Sequence, residues 1–96
     1  MSYFVNLWLD DVRPPPNPRK DWVWAADAPA AIIVMLKSSV RFMSLDHDLG
    51  QELTGYDFVK WMGETDNWPA HKPVVHSQNP VGAANMKAYI ERYFPK

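Results

Sequence analysis

Apolar residues come along this chain in short runs, each cut off by acidic, Pro-rich or Ser-rich segments. Tyr3–Leu9, YFVNLWL, is aromatic and branched and stops at Asp10-Asp11. A run of this length bounded by charge and Pro predicts a buried strand. Arg13–Lys20, RPPPNPRK, carries four Pro in eight positions and predicts an extended surface loop, since Pro denies both helix and central strand. Trp22–Trp24 is a second, shorter strand. Pro29–Lys37, PAAIIVMLK, predicts a helix with Asp27 as N-cap and Ala30, Ile33, Val34 and Lys37 at helical spacing. The β-branched IIVML core of that run competes as a strand, but the run extends back through alanines and ends at Ser38-Ser39.

Val40–Leu45, VRFMSL, alternates and ends in Asp46-His47-Asp48, which predicts a third strand with a polar end. Leu49–Leu53 is loop. Thr54–Glu64 predicts a helix opened by a capping box of Thr54 and Asp57, with an apolar stripe of Phe58, Trp61 and Met62 that reads as core packing. After the loop 66–72, Pro73–His76 is a short apolar strand. Asn79-Pro80 then opens a last helix running through Phe94, Asn79 as N-cap and Pro80 at the first helical position.

The order is β-loop-β-α-β-α-β-α. Strands alternating with helices predict an α/β fold with a four-stranded, mostly parallel sheet, flanked by helices and joined by right-handed crossovers. In such sheets ligands sit beyond the carboxyl ends of the strands, where strand order reverses. The ends here are Asp10-Asp11, Asp46-His47-Asp48 and His76-Ser77. Three polar clusters far apart in sequence are thus expected to meet.

Composition narrows the picture. With 96 residues the chain forms one domain, residues 1–96, and 47% hydrophobic residues with five Trp supply a core. A formal net charge of −1, with no basic run, excludes the footprint of a long-duplex nucleic-acid binder. One or two phosphates need only a local site, so a small nucleotide or a single RNA end fits. The absence of Cys excludes disulfides, thiolate metal sites and Cys nucleophiles. The start of the chain has neither a basic n-region nor a long apolar segment, and no stretch reaches the roughly 20 apolar residues of a membrane span. A cytoplasmic location is expected.

Asp10, Asp11, Asp46 and Asp48 brought together repel one another, and a divalent cation, Mg²⁺ or Mn²⁺, relieves that repulsion. An Asp at a strand end also serves as a turn former or helix cap, but that reading has to hold four times over, on two separate strands. Arg13 follows the first acidic pair and is a candidate phosphate clamp. Free N–H groups near Asn79, together with Ser77, are candidate phosphate binders. His76 and His47 change charge near neutral pH and are candidate general acids or bases. Asp46 to Asp57 spans the twelve positions of an EF-hand loop, but position six is Gln51 rather than Gly and position twelve is Asp57 rather than Glu, and a strand precedes it. The EF-hand reading is dismissed.

Asp10, Asp11 and Asp46 occupy the places where the receiver domain of response regulators resembles this pattern: a paired acid after the first strand and an Asp after the third, holding Mg²⁺ and accepting a phosphoryl group. Ser77 falls near the family's hydroxyl residue. The DHD end of the third strand departs from ordinary receivers, and the fifth strand with its Lys is not seen, so the expected fold is a truncated receiver-like, flavodoxin-like domain. LDDVR at 9–13, LDHDLG at 45–50, TGYD at 54–57 and HSQNPVGAANM at 76–86 more closely resemble the cyclic-phosphate processing receiver domain. That resemblance implies metal-dependent processing of a cyclic phosphate, on an RNA 2′,3′-cyclic end or a cyclic nucleotide. In that chemistry Asp10, Asp11, Asp46 and Asp48 hold the cation, Arg13 adds positive charge, and His76 or His47 moves a proton. The competing readings are a receiver-like binding module that sequesters a nucleotide or protein partner without turnover, and a phosphoacceptor domain, which the missing Lys disfavours. RNA repair, or removal of a host defence signal by a phage, are settings compatible with a small domain of this kind.

Overall fold

The structure is a computed structural model that describes residues 4–16 and 21–95. In chain order the elements are β1 (Phe4–Leu9), β2 (Trp22–Ala25), α1 (Ala28–Lys37), β3 (Ser39–Leu45), α2 (Gly55–Thr65), β4 (Val74–Val75) and α3 (Pro80–Tyr93). The expected start of β1 at Tyr3 and the expected loop over 17–20 lie outside the described residues. The sheet order is β2-β1-β3-β4, and every pair is parallel. The predicted fourth strand is shorter than expected. His76 lies just past β4, although its N–H still donates to the carbonyl of Leu45 at 2.9 Å.

Strand order explains where the helices lie. The steps from β2 to β3 and from β3 to β4 run in the same direction across the sheet, so right-handed crossovers put α1 and α2 on one face. The step from β1 to β2 runs the opposite way, and a helix there would land on the other face. Pro14, Pro15 and Pro16 begin that connection, and its described residues hold no helix. All three helices accordingly share one core with the inward residues of the strands. Val5, Leu7, Leu9, Ala25, Val40, Met43 and Leu45 meet Ala28 and Ala31 of α1, Phe58, Val59 and Met62 of α2, and Met86 and Ile90 of α3. Phe4, Asn6, Trp8, Trp22, Trp24 and Phe42 alternate with those residues and belong to the opposite face.

The helix starts follow local chemistry. Asp27 caps α1 by accepting the N–H of Ala30 at 2.9 Å. Thr54 and Asp57 form the reciprocal capping box at α2, and Asn79 Oδ1 accepts the N–H of Gly82 at α3. α1 buries Ala28 and Ala31, whose small side chains let the helix lie close over the sheet, while Ile33 is 52% exposed. One expectation is corrected. The alternation expected over Val40–Leu45 breaks at a bulge. Pairing with β1 jumps from Val5–Val40 to Asn6–Phe42, so Arg41 is an extra residue and both Arg41 and Phe42 are exposed.

Candidate functional site

Asp10 and Asp46 end the two central strands, at the point where chain connections reverse direction. Both are buried, Asp10 to 1% exposure, and both are held by backbone hydrogen bonds. The N–H of Asp10 donates to Ala25 at 3.1 Å and that of Asp46 to Leu9 at 2.9 Å, so each Asp continues the ladder of the strand before it. Asp11 is exposed and follows directly. One carboxylate oxygen from each of Asp10, Asp11 and Asp46 lies within 4.8 Å of the other two. Ligands about 2.1 Å from an octahedral Mg²⁺ sit roughly 3–4 Å apart, so these three oxygens suit a hard divalent cation with little adjustment.

Asp10 is the most constrained member. Its Oδ1 accepts the N–H groups of Val12 at 2.9 Å and Arg13 at 2.8 Å. Its Oδ2 lies 3.0 Å from Nε2 of His76 and 3.7 Å from Nε of Arg13. Burial pushes the Asp10 carboxyl up, but the N–H groups of Arg13 and Val12 and the His76 imidazole together outweigh it and hold the group below the ordinary Asp value. Asp46 is held through Oδ1, which accepts the N–H of His47 at 2.8 Å. The start of α2 presses on this turn: the N–H of Gly55 donates to the carbonyl of His47 at 2.8 Å, and a methyl on Gly55 would overlap the carbonyl oxygen of Asp46. Gly50, at φ +64°, closes the same loop beside Asp11, and a Cβ there would lie 3.0 Å from Asp11 Oδ2.

Asp48, expected as a fourth ligand, stands outside the triad. Its exposed carboxylate accepts Nδ1–H of His47 at 2.7 Å and the side-chain amide of Asn79 at 3.2 Å. His47 first and Asn79 second hold it below the ordinary Asp value. The same Asn79 caps α3, so the turn after β3 is tied to the start of that helix. Gly82 makes this possible, since a Cβ there would collide with the His47 ring. Nε2 of His47 has no hydrogen-bond partner among the described residues.

His76 is placed differently from a free acid or base. Asp10, held ionised, can only accept, so Nε2 of His76 carries the proton in that contact. Nδ1 then accepts from the hydroxyl of Ser44 at 2.7 Å. The ring lies flat against Trp8, centroids 4.0 Å apart and planes 3° from parallel. Ser44 and Trp8 are functional neighbours that sequence reading missed. The even positions of the strands carried the signal, because Trp8, Ser44 and His76 all fall on the face away from the helices.

Arg13, Ser77 and Asn79 do converge. Together with Asp46, Asp48, Gln78 and Pro80 they line an open cavity of about 390 Å³ next to the triad. Arg13 is the one basic residue of that lining, and its side chain is about half exposed. Ser77 Oγ accepts the N–H of Asn79 at 3.1 Å and shapes the turn into α3. The chain thus presents a carboxylate triad on one side of a cavity, with a guanidinium and a helix start around it.

No helix among the described residues is long and apolar enough to cross a membrane. Neither the curated proteins nor the solved structures gave a match to this chain. Among protein families, the Cyclic-phosphate processing Receiver domain matches residues 5–92, from the first core residue of β1 to the last turn of α3. That span takes in all four strands, the acidic triad and the start of α3, and the chain belongs to the family of cyclic-phosphate processing receiver domains.

Proposed function

We propose that this chain is a metal-dependent phosphodiesterase that opens a cyclic phosphate on a nucleotide or an RNA end. The observation that carries the reading is the approach of carboxylate oxygens from Asp10, Asp11 and Asp46 to within 4.8 Å, beside a cavity whose lining includes Arg13. Three carboxylates so close favour a divalent cation, held by those residues. When bound, such a cation neutralises charge at phosphoryl oxygens and acidifies a bound water.

The remaining work falls to this chain's own side chains. Arg13 binds the phosphate, and its charge counts for more as negative charge builds up on the equatorial oxygens. Ser77 and Asn79 border the same space. A water gives up one proton to a base as its oxygen bonds to phosphorus, the ester bond to one ribose oxygen breaks, and that oxygen takes up a proton in exchange. His47 is the better proton carrier of the two imidazoles. Asp48 holds its Nδ1–H and leaves Nε2 available, as a carboxylate orients a general base elsewhere. His76, with both ring nitrogens engaged, positions Asp10.

The second reading is a module that binds a nucleotide without turning it over. The internal engagement of His76 favours it, since that imidazole is not free to move a substrate proton. The experiment incubates the protein with 2′,3′-cyclic and 3′,5′-cyclic mononucleotides and cyclic dinucleotides, with Mg²⁺, Mn²⁺ or chelator, and follows products by phosphorus NMR. Turnover that disappears with chelator and with Asp46→Asn supports the phosphodiesterase. Saturable, metal-dependent ligand shifts without turnover support the binding module and overturn the enzyme.

A further inference from the structure

α1 is apolar on both of its sides, and one of them faces away from the protein. Its ten residues, APAAIIVMLK, contain a single charge, Lys37, at the last position. Ala28 and Ala31 bury one side, where α1 packs on α2 and on strands β1, β2 and β3. The other side carries Pro29, Ile33 and Leu36, at spacing i, i+4, i+7 and so within about 60° of one another around the helix axis. Ile33 is 52% exposed and Leu36 65%. Surface helices turn charge to the water, as α3 does with Asn85, Lys87, Glu91 and Arg92, whereas a helix that is hydrophobic all round is a covered one.

Charge stands only at the two ends of this face. Lys37 is exposed at the carboxyl end. At the amino end Pro29 borders a cavity of about 230 Å³, lined also by Asp27, Gln51, Glu52 and Leu53. Asp27 uses Oδ1 to cap the N–H of Ala30, while Glu52 is exposed. Neither Glu52 nor Lys37 has an ion-pair partner among the described residues. Lys37 lies eight residues beyond Pro29, roughly 12 Å along the axis, too far to enter the cavity of its own chain.

We infer that the outer face of α1 binds a second copy of this chain, the two α1 helices packing antiparallel about a two-fold axis at Ile33. Position 33 is midway between 29 and 37. The axis that sets Ile33 against the partner's Ile33 therefore lays Lys37 over the partner's Pro29, with its ammonium in the acidic cavity, and does so twice. A two-fold interface needs a patch complementary to itself, and an apolar stripe with a cation at one end and a carboxylate-lined cavity at the other is such a patch. Parallel helices would bring Lys37 against Lys37 and Glu52 against Glu52. The contact is a single helix pair about 15 Å long, at the small end of specific interfaces, so dissociation falls in the micromolar range. The inference stands apart from the phosphodiesterase reading.

Sedimentation equilibrium of the full chain, from about 1 µM to 1 mM, tests it. The wild type is expected to pass from monomer to dimer within that range. Ile33→Glu sets two like charges face to face on the axis and should leave a monomer throughout. Lys37→Glu and Glu52→Lys should each weaken the dimer about tenfold or more. Combined in one chain they should restore much of the lost affinity, because the exchange keeps opposite charges facing across the axis. The two positions lie at opposite ends of α1, so that rescue reports a contact between chains, and it also shows that the single variants lost affinity rather than fold. A wild type that stays monomeric overturns the inference, and binding of that monomer to phosphatidylcholine vesicles through Ile33 would give the face to lipid. A dimer that survives Ile33→Glu overturns it in favour of another surface. A dimer that Lys37→Glu leaves unchanged overturns the antiparallel pairing.

Discussion

Nε2 of His76 lies 3.0 Å from Oδ2 of Asp10, across 66 residues of sequence, and the ring is fixed there by Ser44 on one side and Trp8 beneath it. The contact makes His76 a positioning residue for the acidic triad. His76→Gln should lower divalent-cation affinity about 10- to 100-fold, as loss of an outer-shell partner does. A Mn²⁺ titration measures this. If any catalytic pH profile keeps its imidazole limb in the variant, the proton carrier is another residue, and His47 is the one to remove next. Unchanged Mn²⁺ affinity would contradict the positioning role.

Asp46→Asn separates the site from the fold. The amide oxygen can still accept the N–H of His47, so the turn is kept. One of three mutually repelling charges is lost, and the metal-free variant should melt at or above the wild-type temperature. A cation at a hundredfold excess over its Kd adds about 2.7 kcal/mol to the wild type, roughly 10 °C or more for a domain of this size. The variant should gain less than a third of that. Melting curves with and without Mg²⁺ decide it, and an equal gain in both proteins would remove Asp46 from the site.

Two glycines hold the loops around the triad, and they should fail differently. Gly55→Ala drives a methyl into the backbone carbonyl of Asp46, which cannot step aside, and should cost about 3 kcal/mol in urea unfolding. Gly82→Ala meets the His47 ring instead. A side chain can rotate away, so stability should fall by only about 1 kcal/mol while His47 loses its bond to Asp48. The expected signature is a shift of the His47 ring resonances in NMR spectra of the Gly82 variant.

Asp57 carries a pH dependence that is independent of any ligand. The N–H of Thr54 leads in holding its carboxyl below the ordinary Asp value; burial opposes this, and the Thr54 hydroxyl and Lys60 add to it. The folded value lies below the unfolded one, so folding releases protons from this group. Its stabilisation is complete above the unfolded value, near 3.9, and is lost as pH falls through the folded value. Asp57→Asn should cost about 1 kcal/mol at neutral pH and flatten stability against pH below about 4. An acid-unfolding series that is as steep in the variant as in the wild type would show that the capping box does not carry this dependence.

The order of strands and helices was legible in the chain because each element announces itself locally. Asp27, Thr54 and Asn79 are caps whose side chains bond N–H groups three residues on, and three consecutive Pro disfavour helix where the chain leaves β1. The acids of the site were legible for the same reason: parallel α/β sheets put strand ends together, and Asp10 and Asp46 end strands. The bulge at Arg41 was not, since it depends on how β3 meets β1 rather than on β3 itself. Tertiary packing alone decided how the site residues divide. Asp10, Asp11 and Asp46 form the triad, while Asp48, two residues from Asp46, turns to His47 and Asn79 because the start of α3 offers it an amide donor. His76 was visible as a candidate, but its partners Ser44 and Trp8 come from two other strands, and only the register between those strands brings a hydroxyl, an indole and a carboxylate to one imidazole.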